Sequence, residues 1–110
     1  MSVTEQVEKS ELLKQVKTAV LTLAPNAEII LYGSRARGTA RTNSDWDFLI
    51  LLPASRDGTL EAQIQDRLYD VELETDTVLS SIIRSKQEWH SPRYAVLPLR
   101  QQIEQDGIHL

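Results

Sequence analysis

Asp45 and Asp47 stand one residue apart in the stretch SDWDFLILL, at the mouth of an apolar run. Side chains alternate along a strand, so both carboxylates face one side if a strand begins here. Their Cα atoms then lie about 6.6 Å apart, at a rise of roughly 3.3 Å per residue. Two carboxylates converging on one spot repel each other unless a cation sits between them. Oxygen ligands of this kind suit Mg²⁺, which keeps several waters and takes one or two carboxylates plus substrate phosphates. Read alone, the pair also suits a turn cap followed by a solvent-facing strand residue.

Gly33-Ser34 closes the preceding apolar segment, AEIILY. A strand running into Gly-Ser exposes successive backbone N–H groups, which can receive a phosphate. Glycine allows a close approach of the backbone to a ligand. The Ser34 hydroxyl can donate to a phosphate oxygen. Arg35, Arg37 and Arg41 follow with no intervening acid, and Arg35 or Arg37 can add a charge-assisted bond to phosphate. By itself, Gly-Ser after a strand is equally a plain turn.

These residues need a frame to bring them together. Leu12, Val16, Ala19, Val20 and Leu23 recur at spacings of three and four and predict a helix over residues 4–23. Ala27–Tyr32 and Trp46–Leu52 read as strands. They are joined without a crossover helix, so they should be antiparallel neighbours. Leu60, Ile64, Leu68 and Val71 predict a second helix with Thr59 as its N-cap. Thr77–Arg84 reads as a third strand, rich in β-branched residues. Ser85 should cap a short helix over Lys86–Trp89, Ser91-Pro92 should break it, and Pro98–Gln105 should form a last helix closed at Gly107. The expected class is α+β: one small mixed sheet packed by helices, a single domain over residues 1–110.

Composition bounds the rest. The chain has 110 residues, no cysteine and a net charge of −4. Disulfides and thiolate metal sites are excluded. The longest apolar run, FLILL, is too short to span a bilayer, and the N-terminus lacks the shape of a signal peptide. A complete cytoplasmic protein is expected. An acidic chain is a poor general nucleic-acid binder, although a local arginine cluster can hold a nucleotide's phosphates.

The combination G-S-x10-D-x-D between two apolar strands, GSRARGTARTNSDWD, resembles the signature of the polymerase β-type nucleotidyltransferase superfamily, and the short length resembles its minimal branch. The resemblance implies that Gly33 and Ser34 bind the nucleotide triphosphate, with Arg35 beside it. It also implies that Asp45 and Asp47 are catalytic and hold Mg²⁺. The implied reaction moves a nucleoside monophosphate, most simply AMP from ATP, to an acceptor hydroxyl. Minimal members resembling this chain commonly act as the antitoxin of a HEPN-type partner toxin, and some of them transfer AMP to a tyrosine of that partner. A homo-oligomer is compatible with this picture.

Superfamily members usually add a third carboxylate from a neighbouring strand. Here the expected position falls near Ser80, and Asp76 or Glu72 could supply an offset acid. The alternative is a nucleotidyltransferase-fold binding module, weak or inactive as an enzyme, that neutralises its partner by contact.

Overall fold

The computed structural model describes residues 3–54 and 57–110, with residues 4–7 described in backbone only. The elements in chain order are α1 (Val3–Leu23), β1 (Glu28–Tyr32), α2 (Ser34–Arg37), β2 (Trp46–Leu52) and α3 (Gly58–Thr75). They continue with β3 (Leu79–Ser85), α4 (Lys86–Trp89), α5 (Pro92–Ala95), α6 (Pro98–Asp106) and β4 (Ile108–His109). The described strands form one sheet in the order β3-β2-β1-β4. The expected α+β class, with a single small mixed sheet packed by helices, is what the chain adopts.

β1 and β2 pair antiparallel, with Tyr32 opposite Asp47. β2 and β3 pair parallel, with Asp47 opposite Ser80. A parallel step needs a crossover, and α3 supplies it. β2 is buried almost throughout because it is central and covered on both faces, which explains its continuous apolar run.

The pleat sorts the two cores. Trp46, Phe48, Ile50 and Leu52 face α1 and α3 together with Leu12, Val16, Val20, Ile64 and Leu68. Leu49 and Leu51 face the other way, packing with Ile30, Tyr32, Trp89 and Ile103 under α4–α6. Asp47 shares the parity of Leu49 and Leu51, and so lies on this second face.

Ser85 does cap α4. Its hydroxyl accepts the Glu88 N–H at 3.0 Å, while the Glu88 carboxylate accepts the Ser85 N–H at 3.1 Å. This reciprocal box stabilises the turn by about 1 kcal/mol. Two expectations are corrected. Asp57, not Thr59, caps α3: its carboxylate accepts the Thr59 and Leu60 N–H groups at 2.9 and 3.4 Å, so the helix opens earlier. β3 begins at Leu79 rather than Thr77, because α3 runs to Thr75 and ends on Asp76 in the left-handed conformation (φ 52°). Ser91-Pro92 does break the chain after α4, as expected, and Pro92 then opens the one-turn α5, where its missing N–H costs nothing. At the chain end Ile108–His109 pairs with β1, and the Leu110 N–H donates to the Ile29 carbonyl at 2.9 Å.

Candidate active site

The two aspartates sit where β2 starts. β2 begins at Trp46, so Asp45 is the last loop residue and Asp47 the second strand residue. Asp45 is exposed and Asp47 half-buried. Neither carboxylate accepts a hydrogen bond or enters an ion pair among the described residues. Burial holds the Asp47 carboxyl above its ordinary value, the Asp45 charge raises it further, and Arg37 pulls it partly back. Across the ladder, the Tyr32 hydroxyl is also pushed up, first by burial and then by the Asp47 charge. This corner therefore concentrates negative charge that the folded chain does not neutralise.

Gly33 faces that charge directly. Its φ of 76° lies in the left-handed region, and a Cβ there would collide with Asp47 Oδ2. Glycine is required twice over, by backbone conformation and by contact. β1 then passes into α2. The Ala36 and Arg37 N–H groups both donate to the Gly33 carbonyl at 3.1 Å. The Ser34 and Arg35 amides open the turn and have no acceptor within it. The Ser34 hydroxyl is likewise without a partner among the described residues. Gly33, Ser34, Asp45 and Asp47 are thus brought together at one end of the sheet.

Arg35 and Arg37 diverge. On a helix, residues two apart point to opposite sides. Arg35 turns toward the first core: its guanidinium lies 4.4 Å from the centroid of the Trp46 ring. Its Nη2 donates to the Thr42 carbonyl at 3.2 Å and to the Ser44 carbonyl at 2.9 Å. Arg35 therefore clamps the loop that delivers Asp45. Arg37 is the arginine whose charge reaches Asp47. Sequence reasoning left the choice between Arg35 and Arg37 open; the helical turn of α2 is what separates the two arginines.

Ser80 is the in-register neighbour of Asp47 on the parallel strand, exposed and with the parity of Ile82, which packs against the second core. The position expected to carry a third acid is thus beside Asp47, and it carries a hydroxyl. The two offset acids do not replace it. Glu72 belongs to α3, on the opposite face of the sheet, and its carboxylate accepts the Leu79 N–H at 3.1 Å. Asp76 is the C-cap of α3 and lies outside β3, so strand parity does not apply to it. No cluster of three or more acidic, histidine or cysteine ligands occurs among the described residues.

A cleft of about 960 Å³ opens on the other side of the loop, lined among others by Leu12, Arg35, Arg41, Trp46, Thr75 and Asp76. None of Gly33, Ser34, Asp45 or Asp47 lines it, so this cleft is not where the carboxylates meet. The donor set at the carboxylates does fit Mg²⁺: two mutually repelling oxygen ligands without a hydrogen-bond or ion-pair partner among the described residues, one of them exposed to solvent.

Residues 13–106 match the sequence model of the nucleotidyltransferase domain. No curated protein matches the chain in sequence. Among solved structures, the fold is similar to that of a toxin–antitoxin crystallised with AMP-PNP. The TM-score is 0.61 and the identity 21%, over 87% of this chain and 69% of that one. It is also similar to a mutant form of the toxin–antitoxin MntA-HpeT, with a TM-score of 0.56 and 20% identity over 93% and 70% of the two chains. A structure assigned as a minimal nucleotidyltransferase aligns over 91% of this chain and 94% of its own, with a TM-score of 0.57 and 26% identity. The family match spans both the Gly-Ser turn and the aspartate pair, and the chain belongs to the nucleotidyltransferase domain family, with the fold of its minimal members.

Proposed function

We propose that the chain is a Mg²⁺-dependent nucleotidyltransferase. It moves AMP from ATP onto a tyrosine hydroxyl of a HEPN-type partner toxin and so acts as an antitoxin. The observation that carries this reading is the mutually repelling pair Asp45 and Asp47, with Asp47 against Gly33 and neither carboxylate in a hydrogen bond or ion pair among the described residues. A folded chain gains nothing in stability from holding one carboxylate half-buried beside another. A cation and a triphosphate would relieve both. The fold neighbours that are toxin–antitoxin structures, one of them with AMP-PNP, support the partner and the adenine nucleotide.

Each residue has a separable task. Gly33 lets the backbone turn into α2 directly beside the Asp47 carboxylate, where a Cβ would collide with Oδ2. The Ser34 hydroxyl and the first amides of α2 donate to phosphate oxygens. Arg37 supplies a nearby positive charge, and Arg35 holds the loop that carries Asp45. Asp45 and Asp47 would hold Mg²⁺, which supplies charge neutralisation at the phosphates when bound. The acceptor oxygen bonds to the α-phosphorus, the bond to pyrophosphate breaks, and the acceptor's proton leaves to solvent. Rate enhancement comes from positioning and electrostatics rather than from a protein nucleophile.

Ser80 favours a second reading, a binding module that neutralises its partner by contact. One experiment separates the two. The protein is incubated with Mg²⁺, α-labelled ATP and the product of the adjacent gene. Label on the partner that disappears with Asp47→Asn supports transfer. A partner that is inhibited without label, equally by wild type and Asp47→Asn, refutes it.

A further inference from the structure

We propose that the outer face of α3, continued by the open edge of β3, docks a partner protein that presents basic side chains around an apolar pair. This rests on the reading above and names the surface through which that partner would be held.

Tyr69 and Leu73 lie one helical turn apart on α3 and are 59% and 66% exposed. Both point away from the core that Ile64, Leu68 and Val71 bury on the same helix. Beside them run Asp66, Asp70 and Glu74, each four residues from the next and all exposed. None of the three acids is in an ion pair among the described residues. Like charges at this spacing repel along the helix, and two large apolar side chains between them stay in water. A partner carrying arginine or lysine around an apolar contact relieves both costs at once. The same acids repel nucleic acid and anionic lipid.

The surface continues toward the active site. The Gln65 side chain accepts from the Ser81 hydroxyl at 3.0 Å, which ties this side of α3 to β3. β3 is an edge strand, and Val78 just before it is 56% exposed. Ser80 on that edge strand is the neighbour of Asp47. A protein seated on α3 reaches the carboxylate face of the sheet by passing round the β3 edge, where Ser80 lies beside Asp47.

A second copy of this chain matches less well. Its exposed Val96 and Leu97 lie near Arg93 and Arg100. Arg100 is already bound to Glu104 at 2.9 Å and to the Ser91 carbonyl at 3.3 Å, which leaves Arg93 against three acids.

The test measures binding of the adjacent gene's product by calorimetry to the full chain. The variants are the Tyr69→Ser/Leu73→Ser and Asp70→Lys/Glu74→Lys double variants. Each should bind at least tenfold more weakly, with the melting temperature and the ATP-induced thermal shift kept. Wild-type affinity should fall as salt rises from about 50 to about 500 mM, as screening shortens the reach of surface charge. Wild-type affinity retained by both variants overturns the proposal. So does self-association of the wild type that the apolar variant abolishes, because the surface then joins copies. If the product does not bind the wild type at all, the docking proposal and the partner half of the proposed function fail together. Nucleotide binding, read separately by the thermal shift, shows whether the rest of the reading stands.

Discussion

The loop between β1 and β2 has two sides, and they are built on opposite terms. On the side of the first core, Arg35 lies over Trp46 and donates to two loop carbonyls. The guanidinium has a ring beneath it and two carbonyl acceptors at Nη2, although its buried Nε has no acceptor of its own among the described residues. On the side of the second core, Asp47 faces Gly33, Asp45 and Tyr32 with no hydrogen-bond donor of its own. Trp46 and Asp47 are adjacent in sequence, so a single pleat divides a stabilised surface from a strained one. The first side can bear the cost of the second. The contrast is confined to the start of β2, because Leu49 and Leu51 share the parity of Asp47 and belong to the second core.

Removing the strained charge is the most severe way to break this contrast. Asp47→Asn keeps the shape and removes a charge and a ligand. Transfer to the partner should fall about 100-fold or more, in the range seen when a group aimed at transition-state charge is lost. Gly33→Ala attacks the same corner sterically. The added methyl meets Asp47 Oδ2 in a left-handed backbone, so stability should drop by about 2 kcal/mol or more and activity should go with it. A circular-dichroism melt alongside the labelling assay reads both.

The stabilised side yields a smaller and different effect. Arg35→Ala removes two bonds to carbonyls and a cation–π contact, worth about 1–3 kcal/mol together. Arg35→Lys should recover only part of this, because an ammonium cannot both stack on Trp46 and reach both carbonyls. A clamp role predicts a lower melting temperature and altered Trp46 fluorescence. If Arg35 mainly binds triphosphate, the KM for ATP rises instead, at an unchanged melting temperature.

Ser80→Asp sharpens the strained side rather than removing it. It places a third carboxylate beside Asp47. Without metal the variant should melt lower than wild type, because three acids then crowd one corner. With Mg²⁺ and no nucleotide it should gain a thermal shift of about 2–5 °C that wild type lacks, since ligand stabilises the folded state by mass action. No difference in the Mg²⁺ response between the two proteins would show that position 80 does not face a metal site.

What the sequence discloses follows the range of the physics involved. The Gly33-Ser34 turn, the alternation of Asp45 and Asp47, the antiparallel β1–β2 step and the Ser85 cap are local patterns of a few residues. They are readable because hydrogen-bond geometry and side-chain period act at that range. Which arginine turns inward was not readable, because it depends on α2 forming a helical turn. The irrelevance of Glu72 and Asp76 to the carboxylate corner depends on which face of the sheet α3 covers, a property of layering. β4 is two residues long, too short for any period, and exists because β1 offers an open edge. Thr59 was a reasonable cap by type, but Asp57 two residues earlier competes for the same amides and accepts them.

The finest test of the contrast is its pH dependence. Asp47 is raised above its ordinary value in the folded protein, so its ionised form costs folding free energy. The sign follows directly. At pH values above the folded pKa, the group is charged in both states and the whole cost is present. As pH falls through the folded pKa, the folded protein takes up the proton first and the cost shrinks. Below the ordinary value of 3.8, both states are protonated and the cost is gone. Asp47→Asn never carries the charge, so at pH 7 it should melt above wild type. Asp47 is only half-buried and solvent screens it. The gain should therefore be modest, about 1–4 °C for a domain of this size. The two melting curves should converge as pH is lowered toward 4. A variant that melts below wild type at pH 7, or a gap that widens toward acid, would mean that the Asp47 carboxylate contributes stability. The two sides of the loop would then no longer differ in kind.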